Sequence, residues 1–127
     1  TRLATVTNQD ISGKFDKTGG TISGNTSVTG TVTATGFFQS SDIRLKNVVE
    51  RNYQKDNITD IKAISYYWKD SSRGTEIQLG YSAQDVQKII PQAVNEDKNG
   101  ELSVNYIQVL IAKIEALESI VNELKHK

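Results

Sequence analysis

The sequence predicts an α+β fold: small β-hairpins and short helices lead into one long C-terminal helix, and an extended β segment precedes them. Three observations predict it. A Gly/Thr/Ser-rich stretch near the start repeats every six residues, the middle carries two hairpin patterns, and the last segment sets apolar side chains at a 3.5-residue period.

The β segment comes first. Residues 1–40 hold three basic residues (Arg2, Lys14, Lys17) and two acidic ones (Asp10, Asp16), whereas residues 42–127 hold 12 and 13. From Thr18 to Gly36 the chain reads TGGTISGNTSVTGTVTATG, and almost nothing in it is large enough to build a core alone. Gly24, Gly30 and Gly36 recur at a step of six, as do Ile22, Val28 and Ala34, with Val32 on the same alternating face. β-branched residues favour extended backbone and the glycines permit corners. Short strands that bury their small apolar face against other copies fit this pattern. A flexible Gly/Ser/Thr linker and a hexapeptide solenoid are the alternatives.

The middle follows ordinary globular grammar. Ile43 to Glu50 is a short mixed segment after Ser-Ser-Asp. AISYYWK, from Ala63 to Lys69, reads as a strand, DSSRGTE as a turn, and Ile77 to Tyr81 as the returning strand. Ser82 with Asp85 forms a capping-box pattern ahead of a short helix that Pro91 ends. Ala93-Val94, the Asn99-Gly100 turn and Leu102 with Val104 predict a second hairpin.

The C-terminal helix is predicted over about 105–126, roughly 30 Å long. Ile107, Leu110, Ile114, Leu117, Val121 and Leu124 alternate steps of three and four, with Ile or Val at a and Leu at d. Burying six such side chains contributes about 9–18 kcal/mol before entropy. Parallel self-association therefore competes with packing half the stripe on the hairpins. Ile at a with Leu at d is a dimer pattern, while Ile111 at e and Ile120 at g widen the face toward three strands.

Composition excludes several classes. The 15 basic and 15 acidic residues cancel, so no nucleic-acid partner is expected. Mean hydropathy is -0.46, no run approaches the roughly 18 apolar residues of a membrane span, and no N-terminal signal pattern is seen, so no membrane partner is expected. With no cysteine, disulfides and thiolate metal sites are excluded. His126, the lone histidine, reads as part of a frayed end. No cofactor and no metal are expected.

Where the β-repeat grammar stops, the chain reads Ser41-Asp42-Ile43-Arg44-Leu45-Lys46. Alone, this segment is equally a solvated turn or helix start, since Ser and Asp are good N-caps. It is followed in order by GYSAQDVQ (Gly80 to Gln87), LSVNYIQVL (Leu102 to Leu110) and the terminal heptads. Together these blocks resemble the endosialidase-type C-terminal intramolecular chaperones of bacteriophage tail fibres and tailspikes, over about residues 41–127. The same module occurs in membrane-bound transcription factors of the myelin regulatory type, but the Thr/Gly repeats favour the phage context.

The resemblance implies a parallel trimeric coiled coil at the C-terminus and an intertwined β fibre segment ahead of the domain. It implies residues 1–41 as the end of a fibre shaft and 42–127 as the chaperone domain. It also implies a homotrimer that helps the upstream fibre chain assemble and then cuts itself free, with Ser41 and Lys46 as a catalytic dyad and cleavage at Ser41–Asp42. The fibre part would then belong to the virion, and the chaperone part would act in the infected bacterial cytoplasm until released. The heptad residues from Ile107 to Leu124 would form the trimer interface. A permanent, non-cleaving trimerisation tip, in contact with a receptor, is the alternative.

The residues constrain such chemistry. A serine hydroxyl needs a base, and a lysine serves only when neutral. Neutralising a lysine near pH 7 asks its surroundings for about 4 kcal/mol, from burial or a nearby cation such as Arg44. Residues five apart fall on opposite faces of a strand and about 140° apart on a helix. Either the chain turns sharply between Ser41 and Lys46 or the lysine comes from a neighbouring subunit, and in both cases activity depends on folding. Attack by Ser41 on its own carbonyl passes through a four-membered ring. Attack on the preceding carbonyl would cut Ser40–Ser41 instead, and Ser40 is a stand-in nucleophile.

Overall fold

The computed structural model describes residues 18–127, so the first 17 residues of the expected β segment lie outside the described residues. The chain divides into two compact units between Phe37 and Phe38. In the described part of the first unit no residue is in a strand or helix, and all are exposed. Ile22, Val28 and Val32 stay 55%, 53% and 56% exposed. The alternation is there in the sequence, but among the described residues no strand pairs with this segment.

The second unit is α+β, as predicted. Strand β1 (Ile64–Tyr66) pairs antiparallel with β2 (Gln78–Gly80), with Ser65 opposite Leu79. Both strands are shorter than the sequence pattern. Trp68 turns its ring edge-on to Tyr66 at 5.3 Å, and the Arg73 guanidinium lies 5.0 Å over Trp68. A 3-10 turn at Ser71–Arg73 reverses the chain; it is capped by Asp70, whose carboxylate accepts from the Ser72 N–H at 3.0 Å.

Helix α1 (Ala83–Ile89) begins where the capping pattern placed it, with the Asp85 N–H donating to Ser82 Oγ at 3.3 Å. Pro91 ends it and opens a 3-10 turn, Pro91–Ala93. Strands β3 (Val94–Glu96) and β4 (Leu102–Val104) then form the second hairpin, with Asn95 opposite Ser103. Its turn is organised by Asp97, which accepts from the N–H groups of Asn99 (2.8 Å) and Glu101 (2.9 Å). Gly100 sits there at φ +82°, a conformation that favours glycine.

Helix α2 (Tyr106–Lys125) is capped by Asn105, which accepts from the Gln108 N–H at 3.2 Å. Its inward face carries Val109, Ala112 and Ala116. These pack with Ile58, Ile61, Val86, Ile90 and Ala93 to make the core, and Tyr53, Tyr81, Ile89, Val94 and Val104 lean on it. In the predicted heptad these inward residues hold the outer c and f positions, opposite the a/d seam. All six seam residues remain 45–62% exposed. The alternative in which half the stripe packs on the hairpins is not realised: the domain grips the back of the helix.

Sequence reasoning missed this second face. Its signal was small apolar residues where a coiled coil normally carries charge. It also missed Ile58 and Ile61, which belong to no periodic run. They are set by a 3-10 turn, Ile58–Asp60, entered through Asn57 at φ 64°.

One contact ties the two later motif blocks together. The Tyr81 N–H donates to Tyr106 Oη at 3.2 Å, and the two rings stack with centroids 5.9 Å apart. Lys113 reaches under them, donating to the Ile61 carbonyl and lying 5.2 Å from the Tyr81 ring. Burial, with Lys62 nearby, holds its ammonium below the usual lysine range. Gly80 is buried where a β-carbon would run into the Tyr106 hydroxyl and approach the Tyr66 ring. Gly80→Ala should therefore lower stability by about 1–3 kcal/mol, read as a lower urea midpoint at unchanged slope. An unchanged midpoint would mean that Tyr106 moves aside at no cost.

Candidate active site

The site is built by a turn of three residues. Asp42, with extended backbone (φ -69°, ψ 123°), caps a 3-10 turn over Ile43–Leu45, and Lys46 leaves it extended again (φ -114°, ψ 141°). The Leu45 N–H donates to the Asp42 carbonyl and the Lys46 N–H to the Ile43 carbonyl, both at 3.1 Å. A tight reversal between two extended ends folds residue 46 back toward residue 41. Lys46 Nζ donates to Ser41 Oγ at 2.6 Å.

Of the two ways the spacing left open, the chain takes the sharp turn. No second subunit is needed for these two side chains to touch. The N-cap reading of the segment also holds, since the cap is what makes the turn. The Ser41–Lys46 contact is thus local, made within one chain.

The remaining groups of the motif pair with each other. Asp42 Oδ1 accepts from the Arg44 backbone N–H (2.9 Å) and from Arg44 Nε (3.1 Å), and Oδ2 accepts from Nε (3.2 Å) and Nη2 (2.7 Å). The Arg44 side chain, and next its backbone N–H, hold the Asp42 carboxyl below the usual carboxylate range. The guanidinium is raised in turn by that carboxylate. Ser40, Ser41 and every residue of the turn are exposed in the single chain.

In this contact the lysine is the hydrogen-bond donor. General-base chemistry needs the opposite arrangement, a neutral amine accepting the serine proton. The 2.6 Å separation lies within the reach such a transfer needs.

The six heptad residues lie together along the outer face of α2, and Ile114, Leu117 and Val121 line one open apolar hollow there with Glu118, Asn122 and Lys125. Among the described residues no cluster of His, Cys, Asp and Glu could hold a metal ion, and no helix is long and apolar enough to cross a membrane.

Comparison with curated proteins gives no significant match. Comparison with family models does. Residues 41–95 match the family Peptidase_S74, described as chaperone of endosialidase. The match opens on Ser41 itself, spans the turn, the first hairpin and α1, and ends inside β3, before the block that starts α2. From the Ser–Lys turn to the second hairpin, this chain is similar to the endosialidase-type C-terminal chaperone domain.

Proposed function

We propose that residues 42–127 form an intramolecular chaperone that trimerises the end of a phage tail fibre or tailspike and then cuts itself off at Ser41–Asp42. The observation that carries this reading is the 2.6 Å contact between Lys46 Nζ and Ser41 Oγ at the first residue of the family match. Trimerisation runs through the a/d seam of α2, whose six apolar residues the single chain leaves uncovered. The Thr/Gly segment upstream is the fibre part, with small apolar side chains that find cover only against other chains.

Assembly then acts as the switch. In the single chain Lys46 is solvent-exposed, and a solvated ammonium has no lone pair to offer. Packing three copies around the turn withdraws water from it and favours the neutral amine. The neutral amine takes the Ser41 hydroxyl proton. The serine oxygen adds to the Ser41 carbonyl through the four-membered ring, and the Ser41–Asp42 C–N bond breaks as Lys46 returns the proton to the leaving Asp42 amine. One water then opens the ester to leave a carboxyl on Ser41.

The purpose follows from folding kinetics. Weaving low-complexity β-chains in register is slow, because the useful contacts are between chains, and repeats invite slipped registers. Three joined C-termini raise the effective concentration of the strands. Removing the chaperone afterwards leaves a product held by an unfolding barrier.

Expression of the full chain followed by intact-mass measurement tests the reading. Two fragments are expected, the second with Asp42 at its N-terminus. A fragment beginning at Ser41 would report attack on the Ser40 carbonyl instead, and a single uncut chain would favour the permanent tip.

A further inference from the structure

We propose that Asp42 and Arg44 are a positioning pair: their fork holds the Ile43–Leu45 turn closed and so keeps Lys46 Nζ on Ser41 Oγ. This rests on the self-cleavage reading and assigns what holds its geometry. A three-residue 3-10 turn has only two backbone hydrogen bonds of its own, and such short, exposed pieces do not persist unaided. The Asp42 carboxylate adds four contacts to one residue, a backbone cap and a two-toothed grip on the guanidinium. An exposed ion pair contributes little to global stability. Here its effect is local, because the loop it closes is the one that sets the Ser41–Lys46 distance.

Two further observations agree. With its guanidinium engaged by Asp42, Arg44 acts through that carboxylate and not as a free cation directed at Lys46. All the clamp contacts also lie on the C-terminal side of the Ser41–Asp42 bond, so cutting removes Ser41 while the turn keeps its clamp. The carboxyl is held below its usual range by Arg44, so the clamp is complete above that range and is lost as pH falls through the lowered value.

The test follows single-turnover cleavage of the full chain by intact mass after refolding from urea, with oligomer mass checked for each variant. Arg44→Gln should slow cleavage by about 10–100-fold at neutral pH, the size expected for a misplaced reacting group. Arg44→Lys should restore little, because an ammonium cannot form the fork. The double variant Asp42→Asn/Arg44→Gln should be no slower than the slower single variant, since the two residues act as one unit. On the Lys46 turn the charged neighbours are Asp42 and Arg44 alone. The pH of half-maximal rate should stay in place in Arg44→Gln, whereas a cation acting on Lys46 would, when removed, move it upward.

Wild-type cleavage rate in Arg44→Gln, additive losses in the double variant, or a shifted pH midpoint would each overturn the assignment. A wild type that never cleaves overturns the self-cleavage reading itself, and the assignment with it.

Discussion

Ser41→Ala and Lys46→Ala should each be recovered as one full-length chain under conditions that split the wild type in two. The two side chains touch at 2.6 Å, and each supplies something the other cannot replace. Without Ser41 Oγ the hydroxyl that Lys46 touches is gone, and without Lys46 the amine that touches it is gone. Loss of a positioned base alone is expected to slow the step by about 10²–10⁴-fold. Lys46→Arg is the sharper control. It keeps the charge and nearly the length, but a guanidinium does not lose its proton in a protein, so it should be as inactive as alanine. Cleavage of Lys46→Arg at the wild-type rate would show that Lys46 serves as a fixed positive charge and not as a base. Cleavage of Ser41→Ala would transfer the role to Ser40 or to water.

The site was legible as a pair of residues and illegible as a geometry. Ser-Asp-x-Arg-x-Lys names the hydroxyl and the amine, but a spacing of five suits neither face of a strand nor one side of a helix. The missing piece was the 3-10 turn, whose signal was Asp42 as an N-cap. That signal competes with the dyad reading in the sequence, yet the capped turn is what brings Lys46 to Ser41. The hairpins were legible because turn chemistry fixes them locally: Asp97 and Gly100 make the second turn almost unaided. Strand lengths were not, because Trp68 leaves the ladder to pack on Tyr66 under Arg73, a tertiary choice. The core was the least legible part. Among the described residues it is eight side chains, three of them alanines, and small side chains give weak periodicity against the louder a/d stripe on the same helix.

That thin core bears on the second large expectation. If the chain associates through this seam, replacing Ile114 and Val121 by lysine should leave a folded monomer. Both side chains are about half exposed in the single chain (53% and 47%) and belong to the outer seam. The domain's own hold on α2 is through Val109, Ala112 and Ala116, which the change does not touch. Far-UV helix content and the urea midpoint of the isolated domain should therefore stay close to those of an unassociated wild-type chain. The association is a different matter. In a trimer, burying the exposed half of these two residues in three chains would contribute about 5–9 kcal/mol, and lysines meeting at the axis would add repulsion. Sedimentation should show one chain mass for the variant and three for the wild type. Val109→Lys is the contrasting change: it places a charge in the core and should unfold the domain, so loss of mass there carries a loss of helix signal. If assembly is what neutralises Lys46, the Ile114/Val121 variant should also remain uncut although its Ser41–Lys46 turn is intact. A monomer that still cleaves at the wild-type rate would break the link between assembly and cutting, leaving the local turn as the whole of the catalyst.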